Sequence, residues 1–97
     1  MLEVVETLSF ASWLSGLKDI RGRAKIAARV GRIRLSGHFG DCESVGGGVS
    51  EIRIAFGPGY RVYFCRRGAE VVILLGGGDK GSQARDIRAA QAAAKEV

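Results

Sequence analysis

The spacing of apolar residues in this chain changes near Asp41 from a helical period to alternation. Upstream, four apolar residues recur at the i, i+3, i+4 and i+7 spacing of one helix face: Phe10, Trp13, Leu14 and Leu17. Downstream, segment 49–56 places apolar side chains at alternate positions, which is the period of a half-buried strand. Helices followed by consecutive strands predict an α+β domain, with the helices packed on a small, mostly antiparallel sheet.

The first forty residues predict one short strand and two helices. Residues 2–5 are β-prone, and either Thr7 or Ser9 can cap the first helix. Asp19 can cap a second helix that runs to about Leu35 and ends at Gly37. The two N-terminal helices are therefore expected to cover one side of the sheet.

Segments 49–56 and 60–65 predict a β-hairpin, because Gly57-Pro58-Gly59 between them has turn composition. With those three residues as the loop, Ile54 would face Val62 on the core side, and Arg53 would face Tyr63 on the other. Arg53, Arg61 and Tyr63 would then share one polar surface.

The last third of the chain predicts one more strand and a helix. Segment 71–75 is a continuous apolar run, as in a strand covered on both sides, and Gly76-Gly77-Gly78 is expected to close it. Segment 84–96 is an alanine-rich helix, so Lys80 should lie at the strand-to-helix junction near the sheet end. The predicted order is β-α-α-β-β-β-α in a single domain, residues 1–97.

The net charge of +5 is concentrated in one segment. Residues 18–34 hold seven bases and one acid, a local charge of +6, so the rest of the chain sums to −1. Five of these bases fall within about 80° of one another on the predicted second helix: Lys18, Arg21, Lys25, Arg29 and Arg32. This basic stripe predicts a polyanionic partner, with a merely solvated helix face as the alternative.

Several classes of function find no support in the sequence. One histidine, His38, and two widely separated cysteines give no metal-ligand spacing and no catalytic triad. The stretch from Gly76 to Lys80 lacks phosphate-loop spacing, so no cofactor is expected. The N-terminus carries acids where a signal peptide would carry bases, and no apolar run could span a membrane, which predicts a cytoplasmic protein.

Four residues form the candidate catalytic set: Arg53, Arg61, Tyr63 and Lys80. Cleavage of RNA by its own 2′-hydroxyl needs a proton acceptor, a proton donor and cations for the charge that builds up on phosphate. Arginine suits the last task, whereas lysine or tyrosine moves protons only if its pKa is lowered. The alternative is an ordinary hairpin whose charged residues face water.

Three phrases in this order resemble the HigB-like, phage Gp49-like branch of the RelE/ParE toxins: residues 47–54, residues 57–64 and residues 74–83, followed by Asp86-Ile87. The likeness runs from Phe10 through Ile87. It implies a RelE-like fold and a ribosome-dependent mRNA endonuclease that needs no metal. By motif position, Arg53, Arg61 and Lys80 match three catalytic positions of the family. Glu51 stands where another base is expected, and the last helix has no tyrosine, with Asp86 near that place.

The resemblance also implies partners. A cognate antitoxin, often HigA-like with a helix-turn-helix domain, would silence the toxin and carry the complex to operator DNA. The basic stripe would hold ribosomal RNA phosphates. Tyr63 could take the role of the tyrosine missing from the last helix, or it could stack on an RNA base. Two other interpretations stay open: a ParE-like poison of DNA gyrase that acts by binding, and an inactive relative that only binds an antitoxin.

Overall fold

The computed structural model describes residues 2–97 as a five-stranded mixed sheet with helices on both faces. The elements run in the order β1 Glu3–Glu6, α1 Leu8–Gly16, α2 Ile20–Ser36, β2 Cys42–Gly46, β3 Val49–Ile54, β4 Tyr60–Arg67, β5 Val71–Asp79, a 3₁₀ turn Lys80–Ser82 and α3 Gln83–Ala94. The strand order is β1-β5-β4-β3-β2, with β1 parallel to β5 and every other pair antiparallel. The predicted α+β class is therefore confirmed, and β2 is an additional strand.

The two N-terminal helices begin and end at the expected side chains. Thr7 caps α1 by accepting a hydrogen bond from the Phe10 N–H at 3.2 Å. Its hydroxyl also donates to the Leu74 carbonyl at 2.7 Å, which ties the start of α1 to β5. Asp19 caps α2, and Gly37 ends it with φ 72°, a left-handed conformation that glycine adopts without strain.

One face of the sheet packs under α1 and α2. Its core is built from alternate residues of the strands together with one buried stripe of each helix. The buried members are Phe10, Ile26, Val30, Ile33, Ile52, Ile54, Tyr60, Val62, Phe64, Val72 and Leu74. Ile20 and Ala27, expected on the buried side of α2, are exposed instead, because the helix turns Gly22 and Ile26 toward the sheet.

The opposite face is partly covered by α3. A smaller core there contains Val49, Tyr63, Cys65, Ile73, Leu75 and Ala90. The sheet face expected to be a polar surface is thus partly covered, and Tyr63 lies in this core instead of on the surface. Only the end that carries Arg53 and Arg61 is free of the helix core.

The hairpin register differs from the predicted one by two residues. Arg53 pairs with Arg61 and Ile54 with Tyr60, because the loop holds five residues, 55–59, rather than three. Phe56 leaves the strand and lies beside cations of α2. A shift of two keeps every side chain on its predicted face.

Strand β5 continues through the glycines that were expected to end it. A Cβ on Gly77 would collide with the Trp13 ring, and one on Gly78 would collide with the Asp86 carboxylate. Side chains from α1 and α3 therefore need bare backbone at these positions. Within residues 2–97, no helix is long and apolar enough to cross a lipid bilayer.

Candidate functional site

Arg53 and Arg61 project from the same face of the sheet. They are direct partners on β3 and β4, and Arg61 pairs on its other side with Gly78 of β5. The predicted convergence of the two guanidinium groups on one surface is thus observed. The site lies at the sheet end where the β3–β4 loop and the turn before α3 meet.

Arg53 is held by two carboxylates. Its Nη2 donates to Asp41 Oδ1 at 2.8 Å, and its Nη1 donates to Glu43 Oε2 at 3.1 Å. The hydrogen bond to Asp41 raises the pKa of Arg53, and the same bond lowers the pKa of Asp41. Asp41 directly precedes β2 and Glu43 lies within it, so Arg53 fastens this edge strand to β3. The two carboxylates also compensate the charge of Arg53.

Arg61 makes no hydrogen bond to a carboxylate and has a single, longer ion pair. Its side chain is 13% exposed, and its nearest carboxylate oxygen, Glu51 Oε2, lies 3.9 Å from Nε. Among the described residues this buried Nε finds no hydrogen-bond partner. Because Nε is buried beside Glu51, contact with a ligand falls to the Nη groups of Arg61.

Lys80 lies beside Arg61, as predicted from its place at the end of β5. A Cβ on Gly59 would be 3.5 Å from Lys80 Cβ and 3.9 Å from Arg61 Nη1, so both side chains border the same turn. Gly59 has φ 81°, and its missing side chain leaves room between the two cations. Lys80 is exposed at the first position of the 3₁₀ turn.

Glu51 is the only buried charged side chain in the described part of the chain, with 1% of its surface exposed. Its Oε2 accepts a hydrogen bond from Gln83 Nε2 at 2.7 Å and faces Arg61. A buried carboxylate needs such partners, because its desolvation is costly. Glu51 thus links β3 to the start of α3 and holds the stem of Arg61.

Tyr63 is completely buried beneath α3, so it is not an exposed stacking platform. Its hydroxyl has no hydrogen-bond partner among residues 2–97. Burial raises the pKa of the Tyr63 phenol, and the nearby Glu51 carboxylate raises it further. A phenol in this state can donate a hydrogen bond, but it is a poor base near neutral pH.

The start of α3 contributes polar groups that the sequence did not single out as a cluster. Ser82 donates to Asp86 Oδ2, and the Asp79 carboxylate accepts from the Gly81 N–H at 2.8 Å. Gln83 adds its bond to Glu51. The sequence signal for this polar cluster was a serine followed four residues later by an aspartate, shortly after three glycines.

The predicted basic stripe divides into two kinds of residue. Lys18, Arg21, Lys25 and Arg32 are exposed. Arg29 is not available to bind a polyanion, because its guanidinium donates to the carbonyls of Phe39 at 2.7 Å and Arg53 at 3.0 Å. It fastens the segment between α2 and β2 to β3.

The stripe borders a cleft of about 290 Å³ between α2 and the β3–β4 hairpin. Arg21 and Lys25 approach the Phe56 ring at 5.9 and 5.6 Å from its centroid. Cations interleaved with an aromatic ring suit a single-stranded nucleic acid, which offers phosphates and stackable bases. The cleft and the Arg61–Lys80 site adjoin opposite ends of the same hairpin loop, at Phe56 and Gly59.

Comparison with known proteins covers nearly the whole chain. The sequence profile of the family described as "Phage derived protein Gp49-like" matches residues 12–97. An uncharacterized protein of Haemophilus influenzae is 48% identical over 96 residues, which is 99% of this chain and 96% of that protein. The matched regions include every residue of the candidate site.

Proposed function

Because the chain belongs to the Gp49-like family of phage-derived proteins, which is associated with toxins of toxin–antitoxin systems, we propose that it is a RelE-like, HigB-branch toxin that cleaves mRNA on the ribosome. In this proposal residues 1–97 form one toxin domain that acts in the cytoplasm. The observation that carries it is the Arg61–Lys80 pair of cations at Gly59.

The proposed reaction uses RNA alone as substrate. The 2′-oxygen attacks the adjacent phosphorus and loses its proton, the bond from phosphorus to the 5′-oxygen breaks, and that oxygen takes up a proton. The products are a 2′,3′-cyclic phosphate and a 5′-hydroxyl end. Cations beside the phosphate stabilise the extra charge of the transition state.

Arg61 and Lys80 are the residues that we propose to contact the scissile phosphate. Arg61 offers the planar fork of its Nη groups, and the exposed Lys80 offers an ammonium group. Arg53 would reach RNA only by exchanging Asp41 and Glu43 for phosphate. Tyr63 would act as a buried hydrogen-bond donor rather than as a base.

We also propose that the exposed part of the basic stripe binds ribosomal RNA. The exposed residues of the stripe are Lys18, Arg21, Lys25 and Arg32. Contacts to phosphate give affinity that falls with salt and does not depend on sequence. Such contacts would orient the Arg61–Lys80 site toward the message.

The antitoxin that we propose as partner needs a surface away from the RNA site. A groove of about 560 Å³ between α1 and α2 has apolar walls that include Leu14 and Ile20, the latter 75% exposed. Arg23 and Glu6 line the groove, and the charge of Glu6 is compensated by an ion pair with Arg34. An amphipathic antitoxin helix with acidic flanks would complement it. A helix-turn-helix domain of the antitoxin would bring the complex to operator DNA.

The test is induction of the toxin without antitoxin, followed by mapping of RNA ends. Wild type should yield 5′-hydroxyl ends within translated messages. Lys80→Ala and Arg61→Lys should strongly reduce the yield of these ends and relieve growth arrest, whereas Lys95→Ala, which removes an exposed cation at the far end of α3, should not.

Other outcomes would overturn the proposal. Intact transcripts together with gyrase-dependent DNA breaks would establish the gyrase-binding alternative. Normal growth on induction would establish an inactive relative, an alternative that the buried Glu51 and the aspartate in place of a tyrosine in α3 favour.

A further inference from the structure

A cavity of about 180 Å³ opens at the edge of β5, between α1 and α3. Strand β1 pairs with β5 only as far as Leu74, so the second half of β5 has no neighbour on that side within the described residues. Trp13 of α1 forms one wall and Ala89 of α3 another, while Tyr63 and Gly76 line the strand side. We call this cavity the edge pocket.

The edge pocket has the size and walls that suit a flat ring. An apolar cavity of about 150 Å³ is enough to hold benzene. A Cβ placed on Gly76 would have no atom within 4 Å, so open space lies directly above this backbone. Trp13, which is only partly buried, offers a ring surface for stacking, whereas the buried Tyr63 ring closes the floor of the pocket.

The polar groups of the pocket select for N–H donors. Asp86 lines it with a side chain that is 16% exposed, and its Oδ2 accepts from Ser82. The remaining acceptor positions of this carboxylate face no closer partner than Arg85, whose Nε lies 3.6 Å from Oδ1. Guanine presents two adjacent N–H groups on its Watson–Crick edge, which is the pattern that a carboxylate accepts with two hydrogen bonds.

The edge pocket adjoins the Arg61–Lys80 site. Asp86 lies over Gly78, and Gly78 is the β5 partner of Arg61. A nucleotide whose phosphate contacts Arg61 therefore has a neighbour within reach of the pocket. We propose that the edge pocket takes up one base of the RNA substrate, with preference for guanine, an inference that rests on the proposed RNA substrate.

The chain contains a single tryptophan, and it is Trp13 in the pocket wall, so intrinsic fluorescence reports on occupancy. The experiment titrates the full-length protein with guanosine 5′-monophosphate and, separately, with the adenosine, cytidine and uridine monophosphates. We expect a saturable change with the guanine nucleotide and at least fivefold weaker binding of the others. Asp86→Asn should weaken guanine binding about tenfold, because the amide offers only one acceptor oxygen.

Filling the pocket is the sharper test. Gly76→Val projects methyl groups into the open space, and Ala89→Leu closes the pocket from α3 in case the first variant folds poorly. Both should abolish the fluorescence change at an unaltered melting temperature. Gly31→Ala, on α2 with nothing near its added Cβ, is the matched control and should bind as wild type does.

Failure of this inference is distinguishable from failure of the proposed function. The pocket assignment is refuted, even if RNA is cleaved, when guanine nucleotide does not change the fluorescence of Trp13. It is also refuted when the nucleotide changes that fluorescence equally in wild type and in Gly76→Val. A fluorescence change produced by the antitoxin and by no nucleotide also overturns it. Saturable nucleotide binding in a protein that cleaves no RNA supports the pocket and refutes only the nuclease.

Discussion

Arg53 and Arg61 lie directly opposite each other on β3 and β4, yet only Arg53 has its guanidinium paired with carboxylates at hydrogen-bond distance. Arg61 has Glu51 at 3.9 Å and a buried Nε without a partner in the described chain. A guanidinium that already satisfies two acids offers little to a third anion. Arg53 is thus an anchor for β2, and Arg61 is the arginine available to phosphate.

The first prediction is that substitution of Arg53 affects mainly stability, whereas substitution of Arg61 affects mainly cleavage. Arg53→Ala should lower the urea midpoint of unfolding, because β2 loses its side-chain contacts to β3, and should reduce RNA cleavage only a few-fold. Arg61→Lys keeps a positive charge beside Glu51 but loses the planar fork, and should reduce cleavage by about 100-fold. Urea titrations and end-labelled RNA assays check both. The reverse ranking of the two variants in the cleavage assay would refute the assignment.

A second prediction concerns two arginines of the basic stripe, Arg29 and Arg32. Arg29→Ala leaves the carbonyls of Phe39 and Arg53 without their donor and should cost about 1–2 kcal/mol of unfolding free energy. Arg32→Ala removes an exposed cation and should change stability by less than about 0.5 kcal/mol. It should instead reduce the salt dependence of ribosome binding, lowering the slope of log affinity against log salt by about one.

Equal stability of the two variants would show that the carbonyl contacts of Arg29 do not hold the loop in solution. Unchanged ribosome affinity in Arg32→Ala, measured by sedimentation at several salt concentrations, would remove the stripe from the RNA interface.

A third prediction follows from the bond between the Tyr60 hydroxyl and Asp19 Oδ2, which are 2.7 Å apart. This bond raises the pKa of Tyr60 from 10.0 to about 12 and lowers that of Asp19. Because the folded state holds the phenol proton more tightly than the unfolded state, the stabilisation is full below pH 10 and is lost as pH rises toward 12. The Asp19 contribution is present above its ordinary pKa of 3.8 and is lost as pH falls through the lowered value.

The measurement is the difference in unfolding free energy between wild type and Tyr60→Phe. This difference should be constant from pH 6 to about 9 and should shrink between about 10 and 12. A difference that does not change over that alkaline range would mean that the bond is absent in solution.

The hairpin shows what sequence pattern can and cannot fix. The alternation in segment 49–65 assigned Arg53 and Arg61 to one face, and that assignment is confirmed. The predicted loop length was wrong. Phe56 continues the alternation in the sequence, but its side chain leaves β3 and contacts the cations of α2. Local pattern reports the face of a strand, whereas contacts from another element decide where the strand ends.

The missed strand β2 and the extended β5 have tertiary causes. Residues 42–46 carry little apolar alternation, and all but Val45 are exposed, so pairing with β3 and the anchor of Arg53 make them a strand. Glycines usually weaken strands, but here Trp13 and Asp86 pack onto bare backbone. Sequence spacing identified the cations of the site but not their neighbours, because the acids beside Arg53 and the carbonyls beside Arg29 depend on the path of one loop.

A fourth prediction compares the adjacent glycines 76 and 77. A Cβ on Gly77 would overlap the Trp13 ring, so Gly77→Ala should destabilise the fold by about 1–3 kcal/mol and shift Trp13 emission toward that of exposed indole. Gly76→Ala meets open space at an ordinary backbone conformation and should leave stability unchanged or raise it by about 0.4–1 kcal/mol. Urea unfolding followed by fluorescence measures both, and similar losses in the two would contradict the packing of Trp13 on Gly77.

The last prediction concerns Glu51, whose carboxylate lies buried where the resemblance to RelE-type toxins led us to expect a base. Glu51→Gln keeps an acceptor for Gln83 but removes the negative charge beside Arg61, which is itself only 13% exposed. Breaking one side of a buried ion pair costs roughly 3–5 kcal/mol, and the lower end is expected because part of Arg61 reaches solvent.

Arg61→Met in the Glu51→Gln background should recover most of that loss of stability, because the remaining uncompensated charge is gone. RNA cleavage should be absent from this double variant, because it lacks the guanidinium of Arg61. The four proteins of this double-mutant cycle, each measured by urea unfolding and by RNA cleavage, separate the two roles of Arg61. Strictly additive stabilities would show that Glu51 does not hold Arg61. Cleavage by the double variant would show that the guanidinium is dispensable and would remove Arg61 from the site. The predicted pattern instead makes Glu51 a positioning residue, with a buried carboxylate that fixes the stem of one arginine so that its free donors face the substrate.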